Sequence, residues 1–232
     1  SNKRNTYLNP MNDRFAIPEL DAQQEILKQQ LDFAPENCFF PKPGDRIVTM
    51  DVRYLENGMA QVGVDTVLFP DTVLPVETIM VPATDLPYVP GYMSFYEGPV
   101  VLAALEEYAS RNPAPQLIIV DGHGMAHPRQ FGLACYIGAK TGLPAIGIAK
   151  KNLLPFSKAN FPKSEQRHPF YMDEILVGMA VRLQPEINPV FVSVGNCMEL
   201  ETALELIQTL TTNFRLPDNL RRADAASRAD VG

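Results

Sequence analysis

Residues Gln116–Gly132 read QLIIVDGHGMAHPRQFG. From Leu117 the chain is apolar until Asp121, the pattern of a short strand buried on both faces of a parallel sheet. Ligands in open α/β sheets sit at the carboxyl ends of such strands. Asp121 falls there, followed at once by Gly122, His123 and His127, and those are two of the chain's three histidines. Asp-Gly is more often an ordinary turn, and histidines in a Gly-rich loop are as often solvated as catalytic. The flanking pattern has to decide between a turn and a site.

Downstream, RQFGLACYIGAKTG (129–142) predicts a helix ended by Gly142 and Pro144, and PAIGIAK (144–150) a second buried strand. EILVGMAVRL and PVFVSVG predict two more strands, and MELETALELIQTL a helix with an apolar stripe. Upstream, LDAQQEILKQQLDF predicts an amphipathic helix over 20–33, and PVVLAALEEYAS another over 99–110. Between them RIVTMDVRYL, AQVGVDTVLF and LPVETIMVPA form an antiparallel meander, its first turn carrying Asn57-Gly58. An antiparallel meander followed by alternating helices and strands predicts a mixed α/β sheet with helices on both faces. The expected organisation is a flexible segment at 1–19, a single domain over 20–216, and a polar, frayed tail at 217–232.

The chain has 232 residues and is 46% hydrophobic, enough for a real core. No apolar run reaches the roughly 18 residues that span a bilayer, so no membrane partner is expected. The opening residues lack the charged-then-apolar pattern of a secretory signal. Cys38, Cys135 and Cys197 are few, odd in number and far apart, which excludes a disulfide framework and suits a reducing cytoplasm. A net charge of −7 argues against coating nucleic acid by bulk electrostatics, though not against a locally basic groove.

Three acids stand out. Asp51 interrupts the first strand, Asp121 ends a buried one, and Glu97 precedes a helix. Brought together they would make an all-oxygen site for Mg²⁺, with Mn²⁺ as a substitute, suited to phosphodiester hydrolysis. Each has a plainer reading: a strand-edge aspartate, a turn, and a capping box in Ser94-Phe-Tyr-Glu97. A helix from Ser94 would put Pro99 inside it. Pro99 is better placed as the first helical residue, which frees Glu97. Lys150 and Lys151 end a strand and either face water or set a cation over a phosphate. Lys158, Lys163 and Arg167 form a basic segment, either a solvated loop or an edge that binds a nucleic-acid backbone. In Pro87-Tyr88-Val89-Pro90-Gly91 two prolines stiffen a loop around an aromatic ring, which could stack on bases or simply join the core.

MDVRY, PYVPGYMSFYEGP, VDGHGMAHPRQFGLACYIG, IGIAKK and FVSVGNCMELETAL, in this order, resemble the endonuclease V family of inosine-directed nucleases with a ribonuclease H-like fold. The resemblance implies that Asp51, Glu97 and Asp121 are metal-site carboxylates and that His127 and Lys150 belong to the active site. It makes Tyr88 the lesion-probing wedge, with Pro87, Val89 and Pro90 beside it. The implied reaction is Mg²⁺-dependent hydrolysis one nucleotide 3′ of an inosine or deoxyinosine, leaving 3′-hydroxyl and 5′-phosphate ends. The base would be flipped into a pocket read by backbone near Gly91 and Gly122, with His123 alongside. The implied partner is inosine-containing nucleic acid, bound by a monomer. Asn196 stands where the family usually has a metal-site histidine, and Ser193-Val194-Gly195 replaces its usual Ser-Pro-Gly turn. Asn196-Cys-Met-Glu199 also reads as a helix N-cap. A catalytically weakened inosine-binding homologue is therefore the alternative, and a nuclease of the same fold with a branched or mismatched substrate is another.

Overall fold

The structure is a computed structural model that describes residues 17–87 and 89–231. Among the described residues nine strands form one mixed sheet, with helices on both faces. The strands are β1 (Arg46–Tyr54), β2 (Met59–Leu68), β3 (Thr72–Val73), β4 (Glu77–Pro82), β5 (Leu117–Asp121), β6 (Ala145–Ala149), β7 (Arg167–Met172), β8 (Ile175–Val181) and β9 (Val190–Asn196). The helices are α1 (Pro18–Lys28), α2 (Met93–Arg111), α3 (Leu133–Thr141), α4 (Leu200–Thr209) and α5 (Asp218–Ser227).

The sheet order is β3-β2-β1-β5-β6-β9-β8-β7, with β4 also pairing along β2. β1, β5 and β6 run parallel; the β1–β2 pair and the β6–β9–β8–β7 run are antiparallel. Gly58, at φ 78°, closes the β1–β2 turn that Asn57-Gly58 announced.

Alternation along the three parallel strands sorts side chains between two cores. Val48, Met50, Ile118 and Val120 join the layer made with α2 and α3. Ile47, Leu117, Ile119, Ile146 and Ile148 join the layer made with α4 and α5. Burying each such side chain contributes about 2 kcal/mol. On this second face the period of two continues from the apolar positions into Thr49 and Asp51, into Asp121, and into Lys150 just beyond β6. The sheet thus carries an apolar face that turns ionisable at its carboxyl end.

Several boundaries differ from expectation. α2 starts at Met93, so Pro99 lies inside the helix and not at its first position. Glu97 is therefore helical, on a turn whose neighbour Gly98 is pressed so close to the Tyr136 ring of α3 that a Cβ would collide with it. The segment expected to be flexible over 1–19 ends in α1, which begins at Pro18; residues 1–16 lie outside the described residues. β7 is an added edge strand.

The tail expected over 217–232 is the largest correction, because residues 218–227 form α5. Leu220, Ala223 and Ala226 are buried against the sheet. Arg222 pairs with Asp65 of β2, whose side chain is wholly buried, and Asn219 donates to Thr49 Oγ1 at 2.8 Å. Gly63 of β2 is what lets the helix lie so close, since a Cβ there would strike the backbone of Ala223 and Ser227.

A carboxylate cleft at the ends of the parallel strands

The β1–β5 register pairs Met50 with Val120, which sets Asp51 level with Asp121 on adjacent strands. Lys150 follows β6, the next strand over. α5 closes the cleft from the α4–α5 side and contributes Asp224. Asp51, Tyr54, Asp121, Lys150, Asp224 and Arg228 line a cavity of about 530 Å³. Lys150 Nζ lies 3.3 Å from Asp121 Oδ2 and 3.6 Å from Asp224 Oδ1.

The electrostatics record how crowded the acids are. Asp51, only 8% exposed, is pushed up to about 8 by burial, then by the charge of Asp121 and its hydrogen bond with Asp224. Asp224 is held below the usual carboxylate range: burial works to raise it, but the hydrogen bond with Asp51 and the charges of Lys150 and Arg228 outweigh that. Burial disfavours the Lys150 ammonium, yet its value rises because Asp121, Asp224 and Asp51 all favour the cation. Glu97, also 8% exposed, is raised to about 7 by burial and then by Asp121. It comes from α2 on the opposite face, beside Tyr54, whose buried hydroxyl has no hydrogen-bond partner.

Among the described residues no group of three or more His, Cys, Asp or Glu side chains is arranged to hold a metal ion unaided. The donor set nonetheless fits a hard cation. Mg²⁺ is usually held by only one or two carboxylates, with water and substrate oxygens completing its shell. Asp51, Asp121 and Asp224 offer those carboxylates, and the charge of Asp121 adds to burial in raising Asp51 and Glu97.

The remaining predicted residues are placed as follows. His127 is buried and its Nδ1 accepts the backbone N–H of Arg129 at 3.1 Å; burial, then His123 and Lys28, lower it to about 3. It is therefore a neutral, structurally engaged imidazole. His123 is lowered to about 4 by burial, partly opposed by a hydrogen bond to the Lys151 backbone, and its Nδ1 has no partner. The Gly122 N–H already donates to the Ile148 carbonyl of β6, so it is not free to read a base. Gly91, at φ 89°, turns the chain into α2. Pro87 and Pro90 are exposed and Val89 is half-buried against the core; Tyr88 lies outside the described residues.

Asn196 is neither a helix cap nor part of the cleft lining. It ends β9, while α4 starts at Leu200 after Glu199. Its Oδ1 accepts the Asp32 N–H at 2.9 Å and its Nδ2 donates to the carbonyls of Leu143 and Gly138 at 3.0 and 3.3 Å. It ties the segment after α1 to the end of α3. Asp224 is the residue the sequence reading missed. Its only sequence signals were Pro217-Asp218 as a helix start and Leu220, Ala223 and Ala226 at helical spacing.

A mixed sheet with acids at the ends of its parallel strands, and a closing helix that adds one more, defines a ribonuclease H-like α/β protein. The Endonuclease V family model matches residues 27–225, and the chain belongs to that family. It is 41% identical over 194 residues to Endonuclease V of Streptomyces coelicolor, covering 82% of this chain and 81% of that one. To Endonuclease V of Roseiflexus castenholzii it is 46% identical over 142 residues, spanning 60% of this chain and about six-tenths (61%) of that protein's length. Among solved structures, human ENDOV superposes with a TM-score of 0.78 at 30% identity, covering 92% of this chain and 97% of that one. Streptomyces avermitilis Endonuclease V gives 0.77 at 34%, covering 94% and 92%. A Ciona intestinalis Endonuclease V variant, in complex with a 23mer DNA containing an inosine followed by a ribo-adenosine, shares the fold with a TM-score of 0.80 at 24% identity, over 94% and 97% of the chains. No described helix is long and apolar enough to cross a membrane.

Proposed function

We propose that this protein is a divalent-metal-dependent endonuclease that cuts inosine- or deoxyinosine-containing nucleic acid on the 3′ side of the lesion, in DNA repair or inosine-RNA processing. The observation that carries this reading is the cleft: Asp51, Asp121, Asp224 and Lys150 converge at the ends of three strands in a chain of the Endonuclease V family. The Ciona relative in complex with inosine-containing DNA supports the substrate class.

Asp51 and Asp121 would hold Mg²⁺ or Mn²⁺, with Asp224 as a further donor and Glu97 acting from behind Asp121. The cation, when bound, supplies positive charge for the developing phosphate and lowers the pKa of the attacking water. Lys150 presents a second positive charge to the phosphate, in a site where solvent is partly excluded and such charge counts for more than in water. Arg228 at the rim orients the strand. His127, neutral and held by its backbone contact, positions the loop after Asp121. Pro87 and Pro90, both exposed, would stiffen the loop that serves as the lesion-probing wedge. The protein acts as a monomer in the cytoplasm.

Incubating the chain with an inosine-containing oligonucleotide and Mg²⁺ should yield one product, one nucleotide 3′ of inosine, and Asp51→Ala should abolish it. No product from the intact chain, or equal product from the variant, refutes the reading. The weakened-binder alternative drew its force from Asn196, whose contacts are all to backbone of neighbouring segments, so it has no separate support.

A further inference from the structure

Lys150 belongs to two cavities. Beyond it, away from the carboxylates, lies a second one of about 730 Å³ whose walls carry Lys151, Lys163, Arg182 and Arg215, opposed by Glu186. Its floor is aromatic. Phe156 stands 6.0 Å, edge-on, from Phe161 and 5.8 Å, also edge-on, from Phe191, and all three line the cavity. In a chain of net charge −7 this concentration of cations is local, not a reflection of composition.

Arg182 is the built element. It is 7% exposed, its guanidinium lies 4.0 Å over the Phe161 ring, and Nη2 donates to the Phe161 carbonyl at 2.9 Å. Its Nη1 is buried and has no hydrogen-bond partner. A buried, unmatched donor on a charged group is costly, and an anion seated in the cavity would supply the missing acceptor. Arg215 is fixed beside it by the carbonyls of Lys150 and Pro189, both at 2.9 Å. Lys163 belongs to the basic segment that sequence alone left between a solvated loop and a backbone-binding edge. Its companion Arg167 is instead paired with Glu201.

We propose that this cavity is a nucleotide subsite for the strand running on from the scissile phosphate. A backbone phosphate is held between Arg182, Lys163 and Lys151, and a base lies against Phe156. The proposal rests on the nuclease reading above. Lys150 lies between the two, its carbonyl held by Arg215 of the cavity and its Nζ facing the carboxylates of the cleft, and an aromatic floor with cationic walls is the chemistry that binds single-stranded nucleic acid with little sequence preference.

The test is fluorescence anisotropy of a labelled inosine-free single-stranded oligonucleotide in EDTA, with AMP as a second probe and inosine-oligonucleotide cleavage run in parallel. Lys163→Glu and Lys151→Glu change exposed side chains and keep the fold intact. Each should weaken oligonucleotide binding about tenfold and flatten its salt dependence by about one phosphate contact. Arg182→Gln should do at least as much, its melting temperature being recorded alongside. AMP should bind at least a hundredfold more weakly than the oligonucleotide. Unchanged oligonucleotide affinity in both lysine variants overturns the subsite. AMP binding as tightly as the oligonucleotide overturns it too, by assigning the cavity to a free nucleotide. If the intact chain cleaves inosine substrate in either case, the nuclease reading stands. If it cleaves nothing yet the lysine variants lose binding, only the nuclease reading falls.

Discussion

Replacing Lys150 with methionine should tighten divalent-metal binding while slowing cleavage, two effects of opposite sign from one side chain. The ammonium sits 3.3 Å from Asp121 and 3.6 Å from Asp224, so it occupies the carboxylates that a metal would use. In a medium of effective dielectric about 20 each contact is worth roughly 5 kcal/mol. The lysine side chain is 33% exposed and its partners 21% and 28%, and pairs this open to solvent measure about 1 kcal/mol or less. At about 0.7 kcal/mol each, two such contacts come to about 1.4 kcal/mol, or tenfold in an equilibrium constant. Calorimetric titration of the nucleic-acid-free protein with Mn²⁺ should therefore show about tenfold tighter binding in Lys150→Met. At saturating metal, single-turnover cleavage should fall about a hundredfold, the cost of losing one preorganised charge at a transition state. Metal affinity that stays the same or weakens would refute the idea that lysine and metal share the same acids.

Arg222→Ala strips the partner from a wholly buried Asp65 carboxylate and should cost about 3–5 kcal/mol in urea unfolding. Asn196→His should cost about 3 kcal/mol, because it breaks contacts to Asp32, Gly138 and Leu143, and cleavage should not rise; a gain in rate would put residue 196 back at the chemistry. His127 is lowered to about 3 in the folded state, so below its ordinary value near 6.5 the unfolded chain takes up the proton first. Its contribution to stability is complete above about pH 6.5 and is lost as the pH falls toward 3. His127→Gln should flatten that part of a denaturation-against-pH curve.

The strands that carry the site were legible because they are strongly apolar and bounded by turn residues, and Asp51 and Asp121 stood out by interrupting or ending those apolar runs. β7 went unseen because RHPFYM mixes charge, a proline and aromatics, as befits an edge strand that buries only Phe170 deeply. The α5 helix escaped for a related reason. Its contact face is made of Leu220, Ala223 and Ala226, and alanine can be buried deeply without giving a strong apolar pattern. Its affinity for the sheet depends on Gly63 and Asp65, about 160 residues earlier, which no local window contains. Asn196 misled because Asn-x-x-Glu matches a capping box, yet the strand continues through it and the helix waits for Leu200. Pro99 misled in the opposite sense: the tight fit of Gly98 against Tyr136 holds the helix together across a position that local rules would have ended.

The placement of Asp224 has a temporal consequence. Most of the cleft's acids and Lys150 are encoded between residues 51 and 150, whereas this one arrives on a helix formed from residues 218–227. A nascent or proteolytically clipped polypeptide that stops short of that helix would expose the sheet without the last wall of its reaction chamber. On the nuclease reading proposed above, cleavage would require residues 218–227 to be present and packed against the sheet.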